Sequence, residues 1–147
     1  MKKGKVFCFH HGWHFLLADE FPMQKALEKH KDKNGHCFYE LDYIEENWER
    51  VTLPHTFNDT DLFRDRIRDA GSGQKRTAVF YRNYLTVPKE YYGQKVLIEF
   101  EGIRQTCYLY VNGKMVGYVE NGVAPFGFDL TPFIDYDKPN LIAVATD

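Results

Sequence analysis

Cys8, His10, His11 and His14 fall within seven positions, and such side chains are ordinary zinc ligands. Their spacing is poor for a tetrahedral site. On a strand His10 and His14 share one face while His11 points to the other. Solvated or packed histidines are the competing reading. Asp42, Glu45 and Glu46 form a second group. Paired carboxylates can do acid–base work on a glycosidic bond when held ~5–5.5 Å or ~6.5–9.5 Å apart. These three sit beside an expected helical turn at Ile44 to Arg50, where acidic residues also favour the helix dipole.

A third group is Asn58-Asp59-Thr60-Asp61, just after Leu53-Pro54-His55. Short polar side chains on a loop suit hydrogen bonds to sugar hydroxyls or, less well, calcium. The alternative is an Asx turn ending a strand. Asn58, Asp59 and Asp61 are therefore the candidate substrate contacts. Arg82 lies among Phe80, Tyr81 and Tyr84. It is expected to stack on those rings or to pair with Glu99 or Glu101. Tyr91-Tyr92 offers aromatic faces to a sugar, or packs as an exposed loop after Pro88-Lys89-Glu90. The chain has no glycine-rich phosphate loop, nucleophile elbow or Cys–His pair in a convincing context, so no catalytic residue, metal or cofactor is expected in it.

The elements that would position these groups are mostly strands. Gly12 to Ala18 reads as an early strand. Pro22 to His30 reads as a short helix with proline in its first turn, and Gly35 lies in the stop that follows. Residues 19 to 36 then read as a surface excursion. The span from Asn58 to Lys75 is polar, charged and loop-like, and its length suits a functional segment. Strand patterns follow at Ala78 to Val87, Val96 to Phe100, Thr106 to Val111, Met115 to Val119, Phe126 to Leu130 and Leu141 to Thr146. Asn112-Gly113 between two alternating runs signals a two-residue hairpin, because a type I′ turn needs positive φ at both centres. Turn signals every ~8–12 residues favour a sandwich or barrel over βαβ units. Trp13, Phe100, Tyr110, Val111, Phe126, Phe128, Ile142 and Val144 are the expected core.

Composition narrows the function classes. The 147 residues suit one domain, and 44% hydrophobic with 16% aromatic content supports a packed core rather than disorder. A net charge of -2 provides no basic field for nucleic acid or an anionic membrane. No apolar run approaches the ~18 residues of a spanning helix. The start Met1-Lys2-Lys3-Gly4-Lys5 looks like the basic head of a leader. The following Val6 to His11 is too short and polar to continue one, so a cytoplasmic location is slightly favoured. Cys8, Cys37 and Cys107 are an odd number, expected as reduced, mostly buried thiols.

Several blocks also resemble a known family. They are Gly12-Trp13-His14-Phe15, Trp48 to His55, Phe80-Tyr81-Arg82 with Val87-Pro88, and Phe100-Glu101-Gly102-Ile103. Further on come Tyr110-Val111-Asn112-Gly113 with Val116-Gly117, Pro125 to Thr131, and Asn140 to Val144. In this order they are similar to the opening jelly-roll domain of glycoside hydrolase family 2, and most like the β-galactosidases within its β-galactosidase and β-glucuronidase group. Family members often carry Pro-His-Asp-Trp where this chain has Pro54-His55-Thr56-Phe57, and Gly-Gly-Tyr where it has Asn121-Gly122-Val123. Both departures fall at loop ends and bear on glycan specificity.

The resemblance implies an all-β fold, a jelly-roll β-sandwich of the galactose-binding-domain type with one or two short helices. Residues 1–147 would be a single sugar-binding-like domain, a piece of a larger multidomain glycosidase. That enzyme would be a retaining exo-glycosidase acting through two carboxylates on a downstream barrel. The family's acidic sugar-contacting residue in this domain would follow Asp147. The 147 residues alone would be inactive. Implied partners are a carbohydrate of the β-galactoside or β-glucuronide class and the downstream domains of the same chain. A free-standing carbohydrate-binding module and a structural or interaction domain are the competing classes.

Overall fold

The computed structural model describes residues 7, 9–18, 23–52, 78–100, 106–120 and 125–146. In chain order they form β1 (Trp13–Ala18), α1 (Met23–Lys29), β2 (Glu49–Val51), β3 (Ala78–Thr86) and a single 3-10 turn (Lys89–Tyr91). There follow β4 (Leu97–Phe100), β5 (Thr106–Val111), β6 (Lys114–Glu120), β7 (Phe126–Asp129) and β8 (Pro139–Thr146). Six strands make one antiparallel sheet in the order β2-β1-β3-β8-β5-β6, and β4 pairs with β7 in a second. The architecture is a jelly-roll β-sandwich.

The large sheet buries both of its faces. On the first, Trp13, Phe15, Val79, Tyr81, Leu109, Val111, Ile142 and Val144 pack toward the small sheet and its flanking loops. On the second, Phe80, Tyr110, Ala143 and Ala145 meet Met23 and Ala26 of α1 together with Phe38 and Tyr43. Phe38 stacks on Phe80 at 4.2 Å and Tyr39 on Tyr110 at 4.0 Å between ring centroids. Double coverage explains the near-continuous apolar character of β3 and β8, which a strand with one wet face would not need. It also explains how neighbours such as Tyr110 and Val111 are both buried although they point oppositely.

Asn112 and Gly113 have φ of 51° and 86°, as a type I′ turn requires, and they join β5 to β6. A bulge follows, with Leu109 opposite Gly117 and Tyr110 opposite Met115. The two sheets touch at Gly117. A Cβ there would stand 2.9 Å from a ring carbon of Phe128, so the ring occupies the space glycine leaves.

Three expectations are corrected. No helical turn forms at Ile44 to Arg50. Asn47 takes a φ of 64° and β2 begins at Glu49, so the acidic residues sit on a loop. The region 19 to 36 is more than a surface excursion, because α1 buries Met23 and Ala26 in the second core. Phe100, Phe126 and Phe128 are only half-buried. They do share a face, and their rings cluster against the first core. Their other side is less covered, since β4 and β7 have no further strand beside them among the described residues.

Candidate functional site

The antiparallel register of β1 and β3 sets His14 opposite Arg82 on the second face of the large sheet. Arg82 is 2% exposed, and an unpaired buried cation would be costly. The loop after α1 supplies its partners. The guanidinium donates to Glu45 Oε2 at 3.1 Å and to the carbonyls of Tyr43 at 3.4 Å and Glu40 at 3.3 Å. Its carbon lies 5.0 Å from the centroid of the Tyr43 ring, a cation–π contact. The other oxygen of Glu45 pairs with His14 Nδ1.

Asp32 holds that same loop in shape. Its Oδ1 accepts from the backbone N–H of Asn34 and His36, and its Oδ2 from the N–H of Ile44 and the ring of His36. Burial alone would push this carboxyl up. The donors from His36, Ile44 and Asn34 outweigh it and hold the group well below the usual carboxylate range. Burial lowers the pKa of His30, which meets the Tyr43 hydroxyl and packs beside Phe80.

These placements settle most of the candidate groups. Glu45 is committed to Arg82 and His14, while Glu46 reaches Lys33 at 4.0 Å, so this cluster is not a facing acid–base pair. Arg82 pairs with Glu45 and lies over Tyr43, in place of the expected Glu99 and the neighbouring rings of β3; Glu101, the other expected partner, lies outside the described residues. The reason is topological. Glu99 belongs to β4 of the small sheet, whereas Arg82 faces the opposite side. His11 approaches Thr52 Oγ1 at 3.5 Å, and no metal-holding group of three His, Cys, Asp or Glu occurs among the described residues. Cys37 and Cys107 are free thiols; burial pushes Cys107 up to about 12, which keeps it protonated and inert at neutral pH. Cys8 lies outside the described residues. So do Asn58, Asp59 and Asp61, the proposed substrate contacts.

Strand directions nevertheless locate where the segment carrying them joins the fold. Val51 stands opposite Trp13 and Ala78 opposite Ala18, so residues 53–77 connect opposite ends of β1. Ala18, Ala78, Thr146, Thr106 and Glu120 all lie at one end of the large sheet. Five strand ends therefore lie there, among them the start of β3, which receives the segment. The far end is closed by Asn112 and Asn140. From the sequence Asn112 reads only as a turn residue, and Asp32 does not stand out. The signals were present in Asp32-Lys33-Asn34-Gly35, an Asx-turn pattern, and in a lone asparagine opening the apolar run of β8.

A six-stranded and a two-stranded antiparallel sheet packed across one core define the class of jelly-roll β-sandwiches. Residues 36–146 match the family described as glycosyl hydrolases family 2, sugar binding domain. Over 108 residues the chain is 43% identical to a β-glucuronidase of Formosa agariphila, covering 71% of this chain and 11% of that protein. It is 39% identical over 110 residues to a β-galactosidase of Thermoanaerobacter pseudethanolicus, covering 74% and 14%. A solved β-glucuronidase of glycoside hydrolase family 2 superimposes with a TM-score of 0.67 at 33% identity, over 93% of this chain and 13% of its own. The chain belongs to glycoside hydrolase family 2 and covers its N-terminal, non-catalytic sugar-binding domain. It spans little more than a tenth of the length of these relatives, which are glycoside hydrolases.

Proposed function

We propose that these residues serve a retaining exo-glycosidase acting on β-galactosides or β-glucuronides. In it they form one sugar-binding-like sandwich that buttresses the catalytic barrel and shapes the wall of its pocket. Asn58, Asp59 and Asp61 contact the sugar from the segment 53–77. The observation that carries this reading is the return of that segment into β3 at Ala78, at the end of the large sheet where Ala18, Thr106, Glu120 and Thr146 also lie. Loops gathered at one end of a rigid sheet are where such folds place ligand contacts. Relatives of both activities support the two substrate classes.

The test is kinetic. In the full-length enzyme containing this chain, Asn58→Ala, Asp59→Ala and Asp61→Ala are each assayed with nitrophenyl β-galactoside and β-glucuronide. Loss of one sugar hydrogen bond is expected to raise KM about tenfold, ~1.4 kcal/mol, for the preferred glycoside. Unchanged KM and kcat in all three variants would remove the segment from the pocket.

A further inference from the structure

At the end of the sandwich away from those strand ends, a depression of about 540 Å³ is lined by Tyr92, Gly93, Gln94, Lys95, Asp135 and Tyr136. We propose that it is a second carbohydrate-binding subsite, one that holds a neutral pyranoside against the Tyr92 ring and is separate from the catalytic pocket. The idea extends beyond the proposed function and does not depend on Asn58, Asp59 or Asp61.

Both walls are built by backbone. On one side Gln94 N–H donates to the Tyr91 carbonyl at 3.0 Å. Tyr92 has φ -58° and ψ 134°, and Gly93 has φ 91°. That is a type II turn, with glycine at the position needing positive φ. Tyr91 turns inward and half-buries against the first core, which leaves Tyr92 outward and 75% exposed. The expected exposed tyrosine pair is thus split, one ring anchoring and one presented.

On the other side Asp135 is clamped by Asn140, which accepts from its N–H and donates to its carbonyl, both at 2.8 Å. Val87 bridges to Tyr136, and the Asp137 N–H donates to the Val87 carbonyl at 2.9 Å. The Tyr136 ring meets that of Tyr92 at 71° with centroids 5.3 Å apart. Two rings held nearly at right angles make a corner, with the Gly93 surface open beside it.

The chemistry suits a sugar. The C–H face of a pyranose lies on an aromatic ring while its hydroxyls seek donors and acceptors around the edge. Gln94, Lys95 and Asp135 supply both around the depression, while the Thr131 hydroxyl is taken up by Asp129 and the Val96 N–H. Lys95 and Asp135 carry opposite charges, so the rim has no net preference for an anion, which favours a neutral sugar over a glucuronate. Ordering cost is low because neither wall has to move.

The experiment is a titration of the chain with lactose, cellobiose and glucuronic acid, followed by nuclear magnetic resonance of the tyrosine ring protons. Saturable shifts at Tyr92 and Tyr136 with a Kd on the order of 1 mM for a neutral disaccharide are expected. Tyr92→Ala, at an exposed turn, should keep the fold by circular dichroism and weaken binding about tenfold or more. Tyr118→Ala, at an exposed ring of β6 that does not line the depression, should leave it unchanged, which separates a built site from general affinity for exposed rings. The proposal is overturned if no neutral sugar gives saturable shifts at Tyr92, if only glucuronic acid does, or if Tyr92→Ala binds as the parent does.

Discussion

The side-chain amide of Asn112 donates to Asn140 Oδ1 at 2.8 Å, joining the tip of the β5–β6 hairpin to the start of β8. Each residue also serves the backbone. Asn112 Oδ1 accepts from Leu141 N–H, and Asn140 Nδ2 donates to the carbonyls of Leu85, Asp135 and Lys138. Asn140 has no exposed surface, so water cannot replace these partners if the side chain is lost.

Asn140→Ala is accordingly expected to cost on the order of 3 kcal/mol, since it strands several buried polar groups at once. Asn140→Asp should cost at least as much, because a carboxylate accepts but cannot donate to three carbonyls. Urea midpoints of the two variants check this. A loss under about 0.5 kcal/mol for both would show that water reaches the site after all.

Gly113→Val forces a β-branched residue to the φ of 86° found in the turn. Destabilisation of roughly 1 kcal/mol or more is expected by thermal or urea unfolding. A neutral outcome would mean the turn refolds into another type.

The hairpin was readable because turn chemistry is local: two residues specify it. The same holds for the strand pattern from Ala78 onward, where the aromatic and branched runs match β3 to β8 within a residue or two at most boundaries. What stayed hidden depended on faces. Nothing local shows that Phe80 and Tyr81 are both buried, so the second core beneath α1, Phe38 and Tyr43 was missed. Arg82 could be recognised as a buried cation needing a carboxylate, but its partner lies 37 residues away on a loop read as a helical turn. The candidate sugar contacts rest on loop composition and family blocks alone, and Asn58, Asp59 and Asp61 lie outside the described residues.

Asp32 predicts a pH dependence. Its folded pKa is depressed, so its contribution to stability is complete above the ordinary carboxylate value of ~3.9 and is lost as pH falls below it toward the folded pKa. The wild-type urea midpoint should drop on going from about pH 5 to pH 3. Asp32→Ala should start from a lower midpoint at pH 7 and lose less over that interval. Parallel curves for the two proteins would show that Asp32 is not a source of the acid sensitivity.

Arg82→Ala would leave Glu45 and the carbonyls of Glu40 and Tyr43 without their donor, at an expected cost of about 3–5 kcal/mol. His14→Ala should matter far less, because that side chain is 44% exposed and its partner keeps Arg82. Equal losses in the two variants, read by chemical unfolding, would make His14 a full member of the clamp.

Gly117→Ala tests the seam between the sheets. The new methyl would stand 2.9 Å from the Phe128 ring, so the ring must shift or the sheets must part. A loss of about 1–3 kcal/mol is expected, the usual range for overpacking. Phe128→Leu alone should cost less than full burial would imply, because that ring is only half-buried. The double variant Gly117→Ala with Phe128→Leu should then be more stable than the sum of the single losses predicts, with a coupling of at least ~0.5 kcal/mol. Strict additivity in a double-mutant cycle would mean that Phe128 does not rest on Gly117, and the two sheets would have to be held together by Leu130 and Ile134 instead.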